Sequence, residues 1–281
     1  MNRITDARLA ESATGEHCVC PQNCEFSRRF QNIEVCKVCG LGRTSYEGAP
    51  PEQRCYLEQD QSATKTARSC RVFQAFMSAL EPGSLLDVGC SDGVLMDIAA
   101  VKGWSVTGID PQPGSSERII RANFADYQFS QRFDFLTFIH SFEHMSNPRN
   151  TLLKCRSLLT PTSRLLIVVP NFGGWWARIM GADWQWLNLD DHRYHFTIGA
   201  LKKLLEQTGF RIDSVATYSG FAPSLAEMFV STRGVLDWPV FRWRPVRSLI
   251  YRLSRKAGMI SNALADLSRQ GAEIQIVARP I

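Results

Sequence analysis

Residues 85–96 constrain this chain more than any other stretch of its sequence. An apolar run ends at Asp87, a turn follows through Gly89 and Gly93, and an apolar pattern typical of a helix begins at Val94. This order predicts a buried strand, a tight loop and then a helix. In such an arrangement backbone amides approach a ligand over a helix N-terminus, and glycine makes the close approach possible.

The spacing within this loop distinguishes two classes of ligand. A dinucleotide-binding loop reads G-x-G-x-x-G and faces a pyrophosphate, whereas this loop reads D-x-G-x-S-x-G. The acid at the strand end, Asp87, would repel a pyrophosphate but suits a ligand that carries an ammonium group. A second predicted strand runs from Ser105 to Asp110, and its terminal acid can accept hydrogen bonds from ribose hydroxyls. The predicted ligand therefore has a ribose and a cationic amino-acid end.

The loop resembles the first motif of class I S-adenosylmethionine-dependent methyltransferases, which usually reads D-V-G-C-G-x-G. Ser91 stands where that family most often has its middle glycine. The resemblance implies an α/β fold with a Rossmann-like, doubly wound, seven-stranded sheet whose last strand is antiparallel. It also implies S-adenosylmethionine as the cofactor. The cofactor-binding residues expected from these two segments are Asp87, Gly89, Cys90, Ser91, Gly93 and Asp110.

Length and charge exclude several classes of protein. A chain of 281 residues can bury one substantial core and still carry a small extra module. Its net charge of +5 is mild and gives no clear indication of a nucleic-acid partner. No segment approaches the roughly twenty apolar residues that span a bilayer, and the first residues lack an apolar signal core. We therefore expect a cytoplasmic protein.

Cysteines are concentrated near the start of the chain. Of the nine cysteines, five lie between residues 18 and 39, which in a cytosolic chain is typical of metal binding before disulfide formation. The segment Cys36-x-x-Cys39-Gly40 predicts a zinc knuckle, because two thiolates at this spacing can bind one tetrahedral ion. The other half of the site is irregular. Three pairings remain open, of which we favour the first: Cys20 with Cys24, Cys18 with Cys20, or His17 with Cys20.

A zinc-ribbon-like module followed by a methyltransferase domain resembles bacterial methyltransferases of sugar and polysaccharide pathways. Their second knuckle typically reads C-x-x-C-G-L, which residues 36–41 match, and their first knuckle is a clean C-x-x-C, which this chain lacks. The resemblance implies a structural zinc ion, and the alternative is a degenerate ribbon without metal. The expected ligands are Cys20, Cys24, Cys36 and Cys39.

Composition also suggests how the chain is divided. Two prolines at 50–51 and a polar run after them predict a boundary between a module with its linker, residues 1–60, and a methyltransferase domain, residues 61–281. Residues 222–270 are predicted to form a helical insertion or lid before the last strand. Within it, residues 238–260 are basic and aromatic, with an apolar stripe beside a cationic face. Such a helix suits peripheral contact with an anionic membrane surface, but a lid or packing helix is the favoured interpretation.

Residues 119–126 resemble the third motif of the family, which contacts adenine. Asn123 falls where the family often has an acid that accepts a hydrogen bond from the adenine amino group, and an amide oxygen can do the same. The backbone at Phe124 suits a ring nitrogen of adenine. Asp126 is the alternative to Asn123.

Residues 133–144 predict a strand with its exit loop and are similar to the fourth motif of the family. Because ligands bind at the carboxyl ends of parallel strands, His140 is expected to contact the methionine end of the cofactor or to act as a general base. In ubiquinone-biosynthesis O-methyltransferases a similar E-x-x-E-H cluster is associated with a divalent cation. Here His140 occupies its first position and suits magnesium poorly. We therefore favour a packing role for Glu143 and His144 over a metal site.

Aromatic, acidic and histidine residues are dense between residues 172 and 196, after the next predicted strand. This density predicts the acceptor site, where indole and phenol rings stack on a sugar or an aromatic ring and shield the methyl donor from water. His192 and His195 resemble the H-x-x-H-F turn of the same relatives, and either is a candidate to remove a proton from a hydroxyl acceptor. In the alternative interpretation both are buried histidines bonded to backbone carbonyls.

Together these patterns predict an S-adenosylmethionine-dependent methyltransferase that acts on a small-molecule acceptor by in-line methyl transfer. The resemblance favours a sugar or glycolipid acceptor, with a quinone-type phenol next. The alternative is a non-catalytic protein that binds S-adenosylmethionine and uses a zinc ribbon for interactions. The predicted catalytic residues are His140, His192 and His195.

Overall fold

The computed structural model describes residues 25–30, 32–46, 62–112, 118–220, 256 and 258–281. In chain order its strands are β1 (Phe26–Phe30), β2 (Ile33–Cys36), β3 (Gly42–Thr44), β4 (Ser84–Val88), β5 (Ser105–Asp110), β6 (Ile119–Arg121), β7 (Phe133–Ile139), β8 (Leu159–Pro170), β9 (Tyr194–His195), β10 (Phe210–Tyr218) and β11 (Glu273–Pro280). Its helices are α1 (Ser62–Phe76), α2 (Val94–Val101), α3 (Pro148–Ser157), α4 (Trp175–Met180), α5 (Ile198–Gln207) and α6 (258–267). Within these ranges every helix is too short or too polar to serve as a membrane-spanning segment.

The central sheet has seven strands in the order β10-β11-β8-β7-β4-β5-β6. The five strands β4 to β8 are all parallel to one another. Strand β11 instead pairs antiparallel with both β8 and β10. The predicted Rossmann-like α/β class with an antiparallel last strand is confirmed. The winding reverses at β4, because β5 and β6 lie on one side of it and β7 and β8 on the other. Open α/β sheets bind ligands at the carboxyl ends of their strands, at such a switch point.

Both faces of this sheet are buried. Along β8, Leu165, Ile167 and Val169 belong to one apolar cluster, and Leu166 and Val168 belong to another. Successive side chains of a strand point to opposite faces, so the two clusters lie on opposite sides of the sheet. Side chains of α3 and α5 complete the first cluster, and those of α1 and α2 complete the second. This double burial explains why the central strands read as nearly continuous apolar runs.

A second, smaller sheet has the order β1-β2-β3-β9. Strands β1 to β3 come from the predicted cysteine-rich module, whereas β9 follows α4 in the larger domain. Gly42 of β3 lies opposite His195 of β9, and Cys36 and Leu41 pack in the same apolar cluster as the central sheet. The described part of the module is therefore joined to the larger domain by both backbone pairing and core packing.

The predicted helical insertion at 222–270 lies largely outside the described residues. Its described end is α6, in which Ala265 is fully buried. Met259, Ile260, Leu264 and Leu267 are instead mostly exposed. The described end of the predicted apolar stripe therefore faces solvent, and the choice between lid and membrane contact stays a prediction.

Replacing Gly42 by alanine tests the packing between the two sheets. An added Cβ would lie 2.9 Å from the His195 Cβ and 3.2 Å from a ring carbon of Phe172. We expect Gly42→Ala to lower the free energy of unfolding by about 1–3 kcal/mol, because both neighbours are buried side chains that the new methyl group would crowd. Urea denaturation followed by tryptophan fluorescence measures it.

Gly199→Ala in α5 is the matched control for this substitution. Its added Cβ meets no atom within 4 Å, and alanine in a helix is favoured over glycine by about 0.5–1 kcal/mol. Equal stabilities for the two variants would contradict the described packing of β3 against β9.

Candidate active site

The loop after β4 adopts a conformation that needs glycine. Gly89 and Gly93 have φ values of +75° and +81°, in the left-handed region. A Cβ on Gly89 would lie 2.3 Å from the Ser141 Cβ, so the loop and the end of β7 approach more closely than any side chain permits. Ser91 also has a positive φ, +52°. That conformation explains why glycine is common at this position in the family that the sequence resembles.

Asp87 lies at the carboxyl end of β4 and is almost completely buried. Its Oδ1 accepts a hydrogen bond of 2.7 Å from Thr137 Oγ1 on the neighbouring strand β7. Burial raises the pKa of Asp87 to about 6, and the nearby negative charge of Asp110 contributes to the same shift. The site therefore holds a carboxylate that would gain from a cationic partner.

Asp110 ends β5, one strand away from Asp87, and it organises the same loop. The Ser91 amide donates to its Oδ2 at 2.9 Å, and the Gln112 amide donates to its Oδ1 at 2.8 Å. Cys90 lies beneath the loop, buried against Met96 and Ile119. Burial raises the pKa of the Cys90 thiol, which makes this residue a packing group and not a nucleophile.

The predicted adenine-contact residues follow β6, on the same edge of the sheet. Phe124 is buried, with its ring 5.8 Å from that of Phe138, whereas Asn123 is exposed. The Asn123 carbonyl accepts the Asp126 amide at 3.1 Å and closes a turn. The structure thus brings Asn123 and Phe124 to the carboxyl edge where Asp87 and Asp110 also lie.

His140 is the first residue after β7 and is held in a strained conformation. Its φ is +52°, which is uncommon for a residue with a side chain and persists only where the surroundings enforce it. Its Nε2 lies 3.1 Å from Glu273 Oε2 and its Nδ1 lies 3.5 Å from Glu143 Oε1. Burial would lower the His140 pKa, but the two carboxylates outweigh burial and the net shift is upward. Its ring packs nearly perpendicular to that of Trp186, with the ring centres 5.3 Å apart.

Glu273, at the start of β11, is completely buried beside His140. Its Oε1 accepts a hydrogen bond of 2.7 Å from Gln275 Nε2. Helix α1 crosses this edge and places Arg68 Nε 3.8 Å from Glu273 Oε2, and Lys65 Nζ 3.4 Å from Ser91 Oγ. One wall of the candidate site is therefore lined by charged groups from three separate segments: the end of β7, the start of β11 and helix α1.

Glu143, His144 and His192 form a second cluster next to His140. The first two lie on a 3-10 turn, Phe142–His144, and His192 comes from the loop before β9. His192 Nε2 is 3.8 Å from Glu143 Oε1, and the rings of His144 and His192 are 4.9 Å apart. Of the two histidines in the predicted H-x-x-H-F turn, the structure brings only His192 to the Glu143 cluster.

His195 lies instead in the interface with the small sheet. It is 3% exposed, and its Nε2 is 2.9 Å from Thr44 Oγ1. Burial lowers the His195 pKa to about 3, so the ring is neutral near pH 7. Thr44 Oγ1 also donates to the His192 carbonyl at 2.6 Å. Strand β3 thus fixes the backbone that carries both histidines.

The described half of the cysteine site has the local geometry of a knuckle. The amides of Val38 and Cys39 donate to Cys36 Sγ at 3.3 and 3.4 Å, and Gly40 turns the chain with φ of +73°. Cys36 is buried, and Cys39 is partly exposed. The other two predicted ligands, Cys20 and Cys24, lie outside the described residues.

Comparison with known proteins identifies the class. Residues 62–215, more than half of the chain, match the family model described as a methyltransferase domain. A ubiquinone biosynthesis O-methyltransferase of Histophilus somni is 29% identical over 129 residues, covering 38% of this chain and 54% of the relative. One of Coxiella burnetii is 30% identical over 120 residues, covering 36% and 50%. A SAM dependent methyltransferase from Archaeoglobus fulgidus has the same fold, with 18% identity, a TM-score of 0.50, and 77% of this chain and 93% of that chain covered.

The chain belongs to the methyltransferase domain family. The predicted membership of a methyltransferase family is therefore confirmed. The chain spans about half the length of the curated relatives it matches.

Sequence reasoning missed Glu273 and Arg68. Glu273 stands at the start of a strand of alternating pattern, where a polar residue ordinarily faces water. Arg68 is one of several polar residues on α1. No local signal distinguishes either residue, because Glu273 meets His140 only where β11 lies beside β8, and Arg68 meets Glu273 only where α1 packs near that strand.

Replacing Thr44 by valine tests how β3 supports the histidine loop. The substitution removes the hydroxyl that contacts the His192 carbonyl and His195 Nε2, both in buried surroundings. We expect Thr44→Val to lower the free energy of unfolding by about 1–3 kcal/mol, because these polar groups lose a partner. Thr44→Ser, which keeps the hydroxyl, is the control, and urea denaturation is the measurement. A valine variant as stable as the serine variant would refute this role.

Proposed function

We propose that this chain transfers the methyl group of S-adenosylmethionine in line to a hydroxyl oxygen of a small molecule. One observation carries the proposal: the ends of β4, β5 and β7 bring Asp87, Asp110 and His140 to one edge of the sheet. S-adenosylmethionine would supply a methyl group on a positively charged sulfur. A hydroxyl oxygen would attack the methyl carbon, so that a C–O bond forms as the C–S bond breaks and S-adenosylhomocysteine leaves. The protein must chiefly hold donor and acceptor at attack distance in a dry pocket.

The loop chemistry fits this cofactor. Asp87 suits the ammonium group, because a buried carboxylate that accepts a hydrogen bond from Thr137 keeps capacity for further donors. The turn from Gly89 to Gly93 lets the backbone approach the ligand closely. Asp110 accepts two backbone amides and can still accept ribose hydroxyls. Asn123 and Phe124 follow β6 and suit the adenine.

His140 is the residue that we assign to proton removal from the acceptor hydroxyl. Glu273 fixes its ring through the contact with Nε2 and stabilises the imidazolium that forms, so Glu273 is a positioning residue. His195 is less suitable, because it is bonded to Thr44 and buried in the small-sheet interface. His192 faces Glu143.

Two acceptor classes follow from this site. A sugar or glycolipid is favoured by the zinc-ribbon-like arrangement that the sequence resembles, and by Trp186, whose ring lies next to His140 and can stack on a sugar face. A quinone-type phenol is the second candidate, because the curated relatives are named ubiquinone biosynthesis O-methyltransferases. Incubation with methyl-labelled S-adenosylmethionine and each acceptor class distinguishes them. Saturable cofactor binding without labelling of any acceptor would favour a non-catalytic role.

We also propose a structural zinc ion in the cysteine module. Amide donation to Cys36 Sγ and the turn at Gly40 support a knuckle at Cys36 and Cys39. Cys20 and Cys24 would complete four protein ligands, which leaves no open position for catalysis.

The pKa of Asp87 gives a pH prediction for cofactor binding. The carboxylate, which binds the ammonium, is the main form above pH 6, since the pKa is about 6. Affinity for S-adenosylmethionine then falls about tenfold between pH 7 and 5 as Asp87 takes up a proton. Isothermal calorimetry at several pH values measures it.

Asp87→Asn should remove this pH dependence and weaken binding at pH 7 by about 10- to 100-fold, as expected for loss of a charged hydrogen bond. Asp213→Asn, near the start of β10, is the matched control and should bind as the unaltered protein does. A tenfold loss at low pH that persists in Asp87→Asn would assign the titration to another group.

Substitution of His140 and Glu273 tests the acceptor side. We expect His140→Gln to lower kcat about 10²- to 10⁴-fold, the usual contribution of a general base. Glu273→Gln should lower kcat less, and both variants should keep the cofactor Kd. Glu273→Gln should also lower the melting temperature, because the buried Arg68 loses its charged partner. Glu206→Gln, exposed on α5, is the control for the glutamate change. Full kcat in His140→Gln would exclude His140 as the base.

A further inference from the structure

A network of buried hydrogen bonds runs from Arg71 on α1 to His140. Glu273 and Gln275 are two residues apart on β11, so their side chains lie on the same face of the sheet. Gln275 Nε2 donates to Glu273 Oε1 at 2.7 Å, and Gln275 Oε1 accepts from Arg71 Nη2 at 3.2 Å. Glu273 and Gln275 are 0% and 1% exposed. Arg71 is therefore linked to His140 through two side chains that have almost no contact with water.

Arg71 fixes the direction of the hydrogen bonds in this network. A guanidinium has five N–H donors and no acceptor, so the Gln275 atom that faces Arg71 must be its oxygen. The amide nitrogen of Gln275 then faces Glu273 and donates to the carboxylate. Arg71 is itself held in place, because its guanidinium carbon lies 3.3 Å from the centre of the Tyr218 ring. Glu273 Oε1 is thus occupied, and Oε2 is the oxygen that faces His140.

This arrangement determines which ring nitrogen of His140 carries the proton. Glu273 Oε2 lies 3.1 Å from His140 Nε2, and an ionised carboxylate only accepts hydrogen bonds. Burial raises the pKa of Glu273, but the hydrogen bond from His140 and the positive charges of His140 and Arg68 outweigh burial, and the net shift is downward. Nε2 of the neutral His140 ring therefore carries the hydrogen, and Nδ1 carries the lone pair.

Nδ1 of His140 is consequently the nitrogen that can receive a proton. It lies 3.5 Å from Glu143 Oε1, beyond good hydrogen-bond length, and neither oxygen of this buried carboxylate accepts a hydrogen bond within the described ranges. In the proposed reaction the acceptor O–H bond breaks and its proton moves to Nδ1. The oxygen forms a C–O bond as the C–S bond of S-adenosylmethionine breaks. The imidazolium that results lies between the carboxylates of Glu143 and Glu273, which stabilise it.

We propose that Gln275 and Arg71 are positioning residues for the methyl-transfer step. Through Glu273 they keep the proton of neutral His140 on Nε2, so that Nδ1 takes the proton of the acceptor hydroxyl. The proposal rests on the proposed function, because it concerns the residue assigned to proton removal. Mutual satisfaction of buried polar groups would explain the same hydrogen bonds without any role for His140. Only the positioning role makes the tautomer of His140 depend on Gln275.

Nuclear magnetic resonance of the full chain, with isotopically labelled histidine nitrogens, tests the proposal. Protonated and unprotonated ring nitrogens have well-separated chemical shifts. The chain has five histidines, and the signals of His140 are those that disappear in His140→Gln. Above the pH at which this ring titrates, we expect the Nε2–H form to be favoured at least about tenfold, as for a hydrogen bond to a charged group. A predominant Nδ1–H form in the unaltered protein would overturn the proposal.

Gln275→Met removes the amide and keeps the approximate length of the side chain. It should reduce the preference for Nε2–H several-fold, because Glu273 loses the donor that orients it. It should also lower kcat about tenfold, less than loss of the base itself, at an unchanged cofactor Kd. A loss of stability alone would leave the tautomer unaltered. Gln207→Met, exposed at the end of α5, is the matched control. An unchanged tautomer preference in folded Gln275→Met would overturn the proposal.

Arg71 supplies a second pair of variants in case Gln275→Met does not fold, since Arg71 is only partly buried. Arg71→Met removes the donor and should weaken the preference for Nε2–H, whereas Arg71→Lys keeps a donor and should retain most of it. Equal tautomer populations in Arg71→Met and the unaltered protein would overturn the role of Arg71. A preference that depends on Gln275, without methyl transfer to any acceptor, would contradict the proposed function and still support the orientation of Glu273.

Discussion

The close approach of the turn after β4 to the end of β7 determines the geometry of the whole candidate site. Ser141 Oγ donates to the Val88 carbonyl at 2.6 Å, and the missing side chain of Gly89 makes room for Ser141. This contact joins the loop that carries Ser91 to the segment that carries His140. Because β4 and β7 are neighbours at the point where the winding reverses, both segments face the same crevice. The loop expected to bind the cofactor and the residue assigned to proton removal therefore lie on chain segments about fifty residues apart, which meet at the switch point of the sheet.

The small sheet gives the amino-terminal strands a part in the same site. Thr44 holds the backbone at His192 and the ring of His195, and the Gly42 position leaves room for the Phe172 ring. The loop that carries the acceptor-side histidines thus rests on residues from the start of the chain. A module that the sequence suggests is separate is, in its described part, a structural support for the larger domain.

Much of the fold and the cofactor loop could be predicted from the sequence, because they depend on local patterns. The run into Asp87 and the glycine spacing at 89 and 93 indicate a strand and a tight turn without reference to the rest of the chain. The environment of His140 could not be predicted in the same way. Glu273 reaches it only because the last strand inserts beside β8, and His192 reaches Glu143 only through β9. Contacts between distant segments depend on strand order, which periodicity does not report.

We propose that the carboxyl edge of this sheet binds S-adenosylmethionine beside His140. A crystal structure of the full chain with S-adenosylhomocysteine tests it most directly. We expect the ligand amino group within hydrogen-bond distance of Asp87, the ribose hydroxyls on Asp110, and the sulfur facing His140. A ligand bound elsewhere, or at this edge with the ribose on neither acid, would contradict it.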